Sequence, residues 1–372
     1  MGPTGEQTQP LESLLVPAAE ALPSNAAYLA HLEVGPEHRS LIRLASNENT
    51  EPPSPRVRDA LARAYDDANW SPPTNPEVRT ALAKRFGVTP DRVLLGAGST
   101  EVIDAVMRTF LGPGDEVVVP DPSWPVFTRR LTALQAQIVA IPLLRDDHTY
   151  AYDVDSLLAA VSPRTKMIVV CSPNNPTGNS ISLADARRCA EAGPIVLIDA
   201  AYADFDPEID LSSLIHEFSN VILSRTFSKA YCLAGLRLGY IVGDATVLDY
   251  VDRFLVPGSS VSNPALHAGL AALNDDPYHD RQVRRIRTER DRLLGGIRRL
   301  GLPAFDSRTN FVAVDASRYP GGAQALVASM REHGVLIRPM TSSIARISVG
   351  TTDENDAALA ALARVTAVAP AG

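Results

Sequence analysis

From about residue 75 onward, short apolar runs alternate with stretches of helical spacing. "RVLLG" (92–96) is followed by "STEVIDAVMRTFL" (99–111), whose apolar positions fall on one helical face. That spacing predicts a helix with Ser99 as its N-cap and Glu101 in the first turn, where a carboxylate suits the positive end of the helix dipole. "GPGDEVVVP" then reads as a turn and a strand. "KMIVVC" (166–171), "PIVLID" (194–199), "NVILSRT" (220–226) and "LGYIVG" (238–243) are further apolar runs bounded by breakers. Strands buried on both faces have this texture, and the helical stretches between them supply the crossovers of a parallel sheet. Beyond about residue 260 long helical stretches take over ("PALHAGLAAL", "DRQVRRIRTERDRLLGGIRRL"), followed by two short strand candidates, "NFVAVD" and "ARISVG". The pattern predicts an α/β fold: a mainly parallel central sheet flanked by helices, plus a smaller α+β domain. The first 45 or so residues are rich in Pro and Ala with little periodicity, as in an arm.

Composition narrows the classes. At 372 residues the chain exceeds one simple core, so about two domains are expected. A formal net charge of −8 argues against a nucleic-acid partner, because phosphate backbones are met by a basic face. No apolar run is long enough to span a bilayer, and "MGPTGEQTQPLESLLVP" lacks the cationic start and apolar stretch of a signal peptide. Cys171, Cys189 and Cys232 show neither CxxC spacing nor histidines at metal-ligand spacing, so no metal is expected. They read as free thiols in a reducing compartment, which points to the cytoplasm.

In open parallel sheets, ligands sit beyond the carboxyl ends of the strands. Those ends are polar here. "RVLLG" runs into "AGSTE", "KMIVVC" into "SPNNPTG", "PIVLI" into Asp199, and "NVIL" into "SRTFSK". One shared site accounts for all of them. "GAGSTE" offers amides at a helix N-terminus and two hydroxyls, which suits an anion. It lacks the third glycine of a dinucleotide fingerprint and the lysine of a P-loop. Taken singly, "GAGSTE" and "SRTFSK" read equally well as ordinary capped helix starts.

Taken together, "CSPNNPTG", Asp199 with Tyr202 three positions on, and "TFSKAYCLAGLRLGY" resemble the pyridoxal-phosphate (PLP) aminotransferases of the aspartate-aminotransferase fold, fold type I. "SPNNPTG", "SKAYCLAGLRLG" and "ARISVGT" are most similar to histidinol-phosphate aminotransferases. The resemblance runs from "LASNEN" near residue 45 to about residue 365. It implies an arm contributing to the small domain (1–48), a large PLP-binding domain (49–257) and a small C-terminal domain (258–372).

The resemblance also implies roles. Lys229 would form the Schiff base with the cofactor's aldehyde and, once displaced, move the proton between Cα and C4′. Asp199 would pair with the pyridine nitrogen and keep it protonated, so that the ring draws electrons. Asn175 and Tyr202 would donate to the 3′ oxygen, holding the imine's pKa down. Ser99, Thr100, Thr226, Ser228 and Arg237 would hold the phosphate. Trp124 would stack on the ring. Arg346 would fork the substrate's carboxylate, and Arg338 would face the substrate's distal end. Trp70 aligns with a tyrosine that in relatives reaches the neighbouring subunit's phosphate, so a homodimer with shared sites is implied.

The pattern is broken in four ways. Asp199-Ala200-Ala201-Tyr202 stands where relatives read D-E-A-Y, Trp70 replaces the tyrosine, Ser71 interrupts an aromatic-proline pair, and Thr50 and Pro52 stand where proline and glycine are common. All four are expected on the substrate side, and Tyr28 and His31 of the arm are candidates to cap the pocket. Three readings follow. The first is an aminotransferase acting on an amino acid and a 2-oxo acid, with a specialised biosynthetic substrate. The second is another PLP reaction on the same scaffold: decarboxylation, elimination, cyclisation or oxidation. The third, a regulator or inactive scaffold, is disfavoured because Lys229 and Asp199 are both kept and no basic domain precedes "LASNEN".

Overall fold

The computed structural model describes residues 15–24, 40–73, 76–257 and 260–368; Tyr28 and His31 lie outside them. At its centre is a seven-stranded sheet in the order Val93–Gly96, Gly239–Val242, Val221–Thr226, Ile195–Asp199, Thr165–Cys171, Glu116–Asp121, Gln137–Pro142. From Val221–Thr226 outward to Gln137–Pro142 every pairing is parallel. Gly239–Val242 runs antiparallel to both its neighbours. The reason is the connection before it: residues 227–238 contain a 3₁₀ turn, Ala234–Leu236, and no crossover helix. Without a helix to carry it across the sheet, the chain returns beside the strand it has just left.

Both faces of the sheet are covered. Val169, Leu197, Ile222 and Ile241 pack on one side with Val102, Ile103 and Val106 of the helix Ser99–Phe110. Val170, Ile198, Leu223 and Val242 point the other way, into a second cluster. Successive strand residues are therefore all apolar, as the runs in the sequence foreshadow. Each fully buried Val, Leu or Ile contributes about 1.5–3 kcal/mol, so these strands are among the fixed parts of the molecule.

A separate core surrounds the antiparallel sheet Phe311–Asp315, Ile344–Ser348, Arg338–Pro339. The helices Asp276–Arg299, Gly322–Glu332 and Thr352–Val368 close over it. Ile42–Arg43 pairs in parallel with Val335–Leu336, and Leu44 is buried in this core. The segment from residue 45 thus leaves the second core and enters the space facing the large sheet. Helix Asn263–Leu273 packs instead with Pro55–Ala64 and Glu77–Phe86 on the first core. No described helix is long and apolar enough to cross a membrane.

Candidate active site

The carboxyl ends of the parallel strands open into a cleft of about 310 Å³ lined from both cores. Asp199 is the last residue of Ile195–Asp199 and shares the register of Cys171 and Ser224 on the flanking strands. It is 4% exposed, and its Oδ1 has no hydrogen-bond partner. Burial raises its carboxyl to about 7, against the opposing pull of the Ala201 amide and the Lys229 charge. An orphaned, buried carboxylate at a strand end is arranged to meet a cation that enters the cleft.

Lys229 follows Val221–Thr226 by three residues, and its Nζ donates to the Ser46 carbonyl at 3.1 Å. Burial lowers its ammonium to about 7, and the nearby charge of Arg346 pushes the same way. A lysine with a large neutral fraction near pH 7 is a nucleophile and a base. Tyr202 lies in the same pocket, its hydroxyl accepting from Asn47 Nδ2 at 2.9 Å and from Asn175 Nδ2 at 3.5 Å. Burial raises its hydroxyl to about 12, so it remains a donor throughout the neutral range.

Ser99 does not cap its helix. Gly98 is the N-cap, at φ 87, with no side chain bonded to the first-turn amides. Glu101 folds back instead, and its Oε2 accepts from the Ala97 amide at 2.6 Å. The expected capping serine is therefore the first helical residue, with its hydroxyl free of that duty. Gly239 makes this possible: a Cβ there would fall 2.1 Å from the Ser99 nitrogen. A Cβ on Gly98 would fall 2.5 Å from Arg237 Nη2, so the guanidinium lies against the helix start. Thr226 Oγ1 donates to Ser228 Oγ at 3.0 Å, and both residues line the cleft with Ser99, Thr100 and Arg237. Two glycines, open amides, four hydroxyls and a guanidinium make an anion cradle.

Arg346 is 3% exposed, in Ile344–Ser348. Its Nη1 donates to Asn175 Oδ1 at 2.6 Å and its Nη2 to the Ala45 carbonyl at 2.7 Å. Its guanidinium lies 5.3 Å from the centre of the Phe311 ring. Arg338 is its direct cross-strand partner and also lines the cleft. Trp124 lines the cleft as well, held edge-on by Phe127 at 5.2 Å. Trp70 does not line its own chain's cleft. It is 68% exposed, with its carbonyl accepting from Asn263 Nδ2.

The four departures are not in the cleft wall. Ala200 follows Asp199 and, by strand alternation, packs on the opposite face with Ile198. Thr50 Oγ1 turns to Glu354 at 2.6 Å, and the Pro52 carbonyl accepts from the Tyr278 hydroxyl. Trp70 and Ser71 lie outside the lining. Sequence reasoning also missed Ser46, Asn47 and Glu48, which line the cleft, and Ser348 and Asn310, which hold Asn47. "LASNEN" has no periodicity; its signal was the polar run following a buried leucine.

Pyridoxal phosphate suits this donor set. The unpartnered Asp199 oxygen would suit a ring nitrogen, the anion cradle a phosphate, Tyr202 a phenolic oxygen, and a half-neutral Lys229 an aldehyde. Comparison with known proteins agrees. The family description of aminotransferase class I and II matches residues 39–362. A histidinol-phosphate aminotransferase of Methanosarcina mazei is 37% identical over 332 residues, covering 87% of each chain. An aromatic amino acid aminotransferase of Rhodococcus opacus is 36% identical, covering 88% of this chain and 90% of its own. The crystal structure of a histidinol-phosphate aminotransferase from Sinorhizobium meliloti in complex with pyridoxal-5′-phosphate superposes with a TM-score of 0.82. It is 28% identical and covers 95% of this chain and 98% of its own. The chain belongs to the aminotransferase class I and II family and is a pyridoxal-phosphate-dependent transaminase of fold type I.

Proposed function

We propose that the enzyme passes the amino group of a specialised amino acid to a 2-oxo acid, working as a cytoplasmic homodimer. The observation that carries this reading is the convergence of Lys229, Asp199 and Arg346 on one cleft. When bound, the cofactor supplies an electron sink that stabilises negative charge at the substrate's Cα. Lys229 would hold the aldehyde carbon and then, displaced by the substrate amine, carry the proton between Cα and C4′. Its lowered pKa serves both tasks. Asp199 would keep a proton on the ring nitrogen, and Asn175 and Tyr202 would donate to the 3′ oxygen. Ser99, Thr100, Thr226, Ser228 and Arg237 would hold the phosphate, with Trp124 covering the ring. Trp70, exposed on its own subunit, would reach the phosphate bound by the other subunit.

Arg346 would clamp the carboxylate of each acid in turn. To do so it exchanges the Ala45 carbonyl and Asn175 for two charge-assisted bonds. Arg338 beside it would face the distal end of the substrate, which favours a side chain with an anionic or polar terminus. The relatives named for histidinol phosphate and for aromatic amino acids set the range to search. The division into an arm (1–48), a large domain (49–257) and a small domain (258–372) is supported by the two cores, with helix Asn263–Leu273 reaching back onto the larger.

The test is a half-reaction. Purified enzyme with bound cofactor is mixed with basic, aromatic and phosphorylated amino acids, and absorbance is followed. Stable loss of the cofactor's visible band, with one equivalent of oxo acid per site, supports transamination. Release of carbon dioxide, ammonia or hydrogen peroxide refutes it.

A further inference from the structure

Asn47 has no part in the scheme above, yet it is 1% exposed and reaches into the centre of the site. Its φ of 52 lies in the left-handed region, which non-glycine residues enter at a cost and asparagine more readily than most. Four hydrogen bonds hold it there. Its backbone N–H donates to Ser348 Oγ at 2.8 Å, and the Ser348 hydroxyl donates to Asn47 Oδ1 at 3.1 Å. Its carbonyl accepts from Asn310 Nδ2 at 2.9 Å. Its own Nδ2 donates to the Tyr202 hydroxyl oxygen at 2.9 Å.

The orientation of the amide is fixed by this arrangement. Because Ser348 Oγ accepts from the backbone N–H, its single proton goes to Oδ1, and the NH₂ end must face Tyr202. Tyr202 therefore receives a donor, and its own hydrogen must be given elsewhere. Ser348 lies on a strand of the smaller sheet, and Asn310 immediately precedes its neighbouring strand. Tyr202, three residues past Asp199, packs on that same core edge-on to Phe311, so its hydroxyl is oriented from the second core.

We propose that Asn47 is a positioning residue: its side-chain amide fixes the Tyr202 hydroxyl as a donor into the cleft, toward the cofactor's 3′ oxygen. This rests on the pyridoxal-phosphate reading above and deepens it. A hydroxyl that accepts a hydrogen bond becomes a stronger donor. A donor at the 3′ oxygen would stabilise negative charge there and so make a proton held at Lys229 Nζ easier to lose. Asn47 would thereby lower the pH at which Lys229 gives up that proton.

The experiment is a pH titration of the visible absorbance of the holoenzyme, for wild type, Asn47→Gly, Asn47→Asp, Tyr202→Phe and the Asn47→Gly/Tyr202→Phe double variant. Glycine accepts the left-handed backbone and removes only the amide. The titration midpoint is expected to rise by roughly half a pH unit in Asn47→Gly, one modest hydrogen bond's share. It should rise further in Tyr202→Phe, and as far in Asn47→Asp, because a carboxylate only accepts and draws the Tyr202 proton away from the cleft. The double variant should match Tyr202→Phe, since Asn47 acts through that hydroxyl. An unmoved midpoint in Asn47→Gly, or additive shifts in the double variant, overturns the proposal. Should Asn47→Gly fail to fold, Ser348→Ala frees the amide to turn and is read in the same way: a raised midpoint supports, an unmoved one overturns. A wild-type protein that shows no pH-dependent band, and gains no mass at Lys229 on borohydride treatment with pyridoxal phosphate, overturns the cofactor reading itself.

Discussion

Replacing Asp199 by Asn should make the cofactor-free protein more stable while weakening its grip on the cofactor. The carboxyl is 4% exposed and rises from an ordinary 3.8 to about 7 on burial. A carboxyl whose folded pKa lies above its unfolded one costs nothing while protonated. It then destabilises the fold progressively as pH rises from about 4 to about 7. At about 1.4 kcal/mol per pH unit, the accumulated cost above pH 7 is about 4 kcal/mol, and at pH 5 it is about 1.5 kcal/mol. Asn removes the titration and keeps an oxygen for the Ala201 amide. Lys229 does not mask the effect at pH 8, because it is mostly neutral above its own lowered pKa of about 7. Urea unfolding of the cofactor-free proteins should therefore show Asp199→Asn the more stable by about 4 kcal/mol at pH 8, shrinking by more than half at pH 5. Added pyridoxal phosphate should narrow or reverse the gap, since only the carboxylate can match a protonated ring nitrogen. A gap that does not change with pH, or a variant less stable than wild type at pH 8, would refute the reasoning.

Arg346→Ala should lower kcat/KM for the amino donor by roughly 30- to 1000-fold, the loss of about 2–4 kcal/mol in buried charge-assisted bonds. Arg346→Lys should recover little of it, because an ammonium cannot fork a carboxylate; steady-state kinetics decide both. Gly239→Ala should lower cofactor affinity more than fold stability, as the added Cβ drives into the Ser99 amide; equilibrium dialysis with pyridoxal phosphate and a thermal melt separate the two. Asp204 holds Arg225 at 2.8 Å and His279 at 3.2 Å behind the site, and Asp204→Ala leaves a buried cation unpaired at a cost of about 3–5 kcal/mol, read by urea unfolding. Burial pulls the His279 imidazole down, but Asp204 and Asp280 outweigh it and the net shift is upward. A raised histidine stabilises below pH 6.5 and loses its contribution as pH rises, so His279→Gln should cost more at pH 5.5 than at pH 8.5.

How much of this could be read from the sequence depends on where the information sits. Strands and their polar ends were legible, because burial on both faces writes continuous apolar runs and the chemistry begins where each run stops. Asp199, Ser228 and Lys229 stand at such ends, whereas Arg237 and the role expected of each came from the family resemblance. The antiparallel strand Gly239–Val242 was not, since a strand's apolar run carries no sign of its direction. Ser99 was misread as a cap because a hydroxyl before an apolar helix is the usual capping signal; Gly98, which took the position, shows only in the backbone angles. Asn47, Ser348 and Asn310 meet across more than 250 positions of chain, a closeness that no local pattern encodes. Ala200 seemed a missing carboxylate beside the site, and strand alternation sends it the other way.

The return strand has a further consequence for what can be done to this chain. The loop 227–238 carries Ser228 and Lys229 at its entrance and Arg237 at its exit, with both ends pinned by ladder bonds. Lengthening it would loosen the short turn that aims the amine and the guanidinium into the cleft, and cutting it would leave each on a short tail beyond its strand. Circular permutation or tag insertion belongs at other surface loops, and a library that randomises length here should return folded but colourless protein.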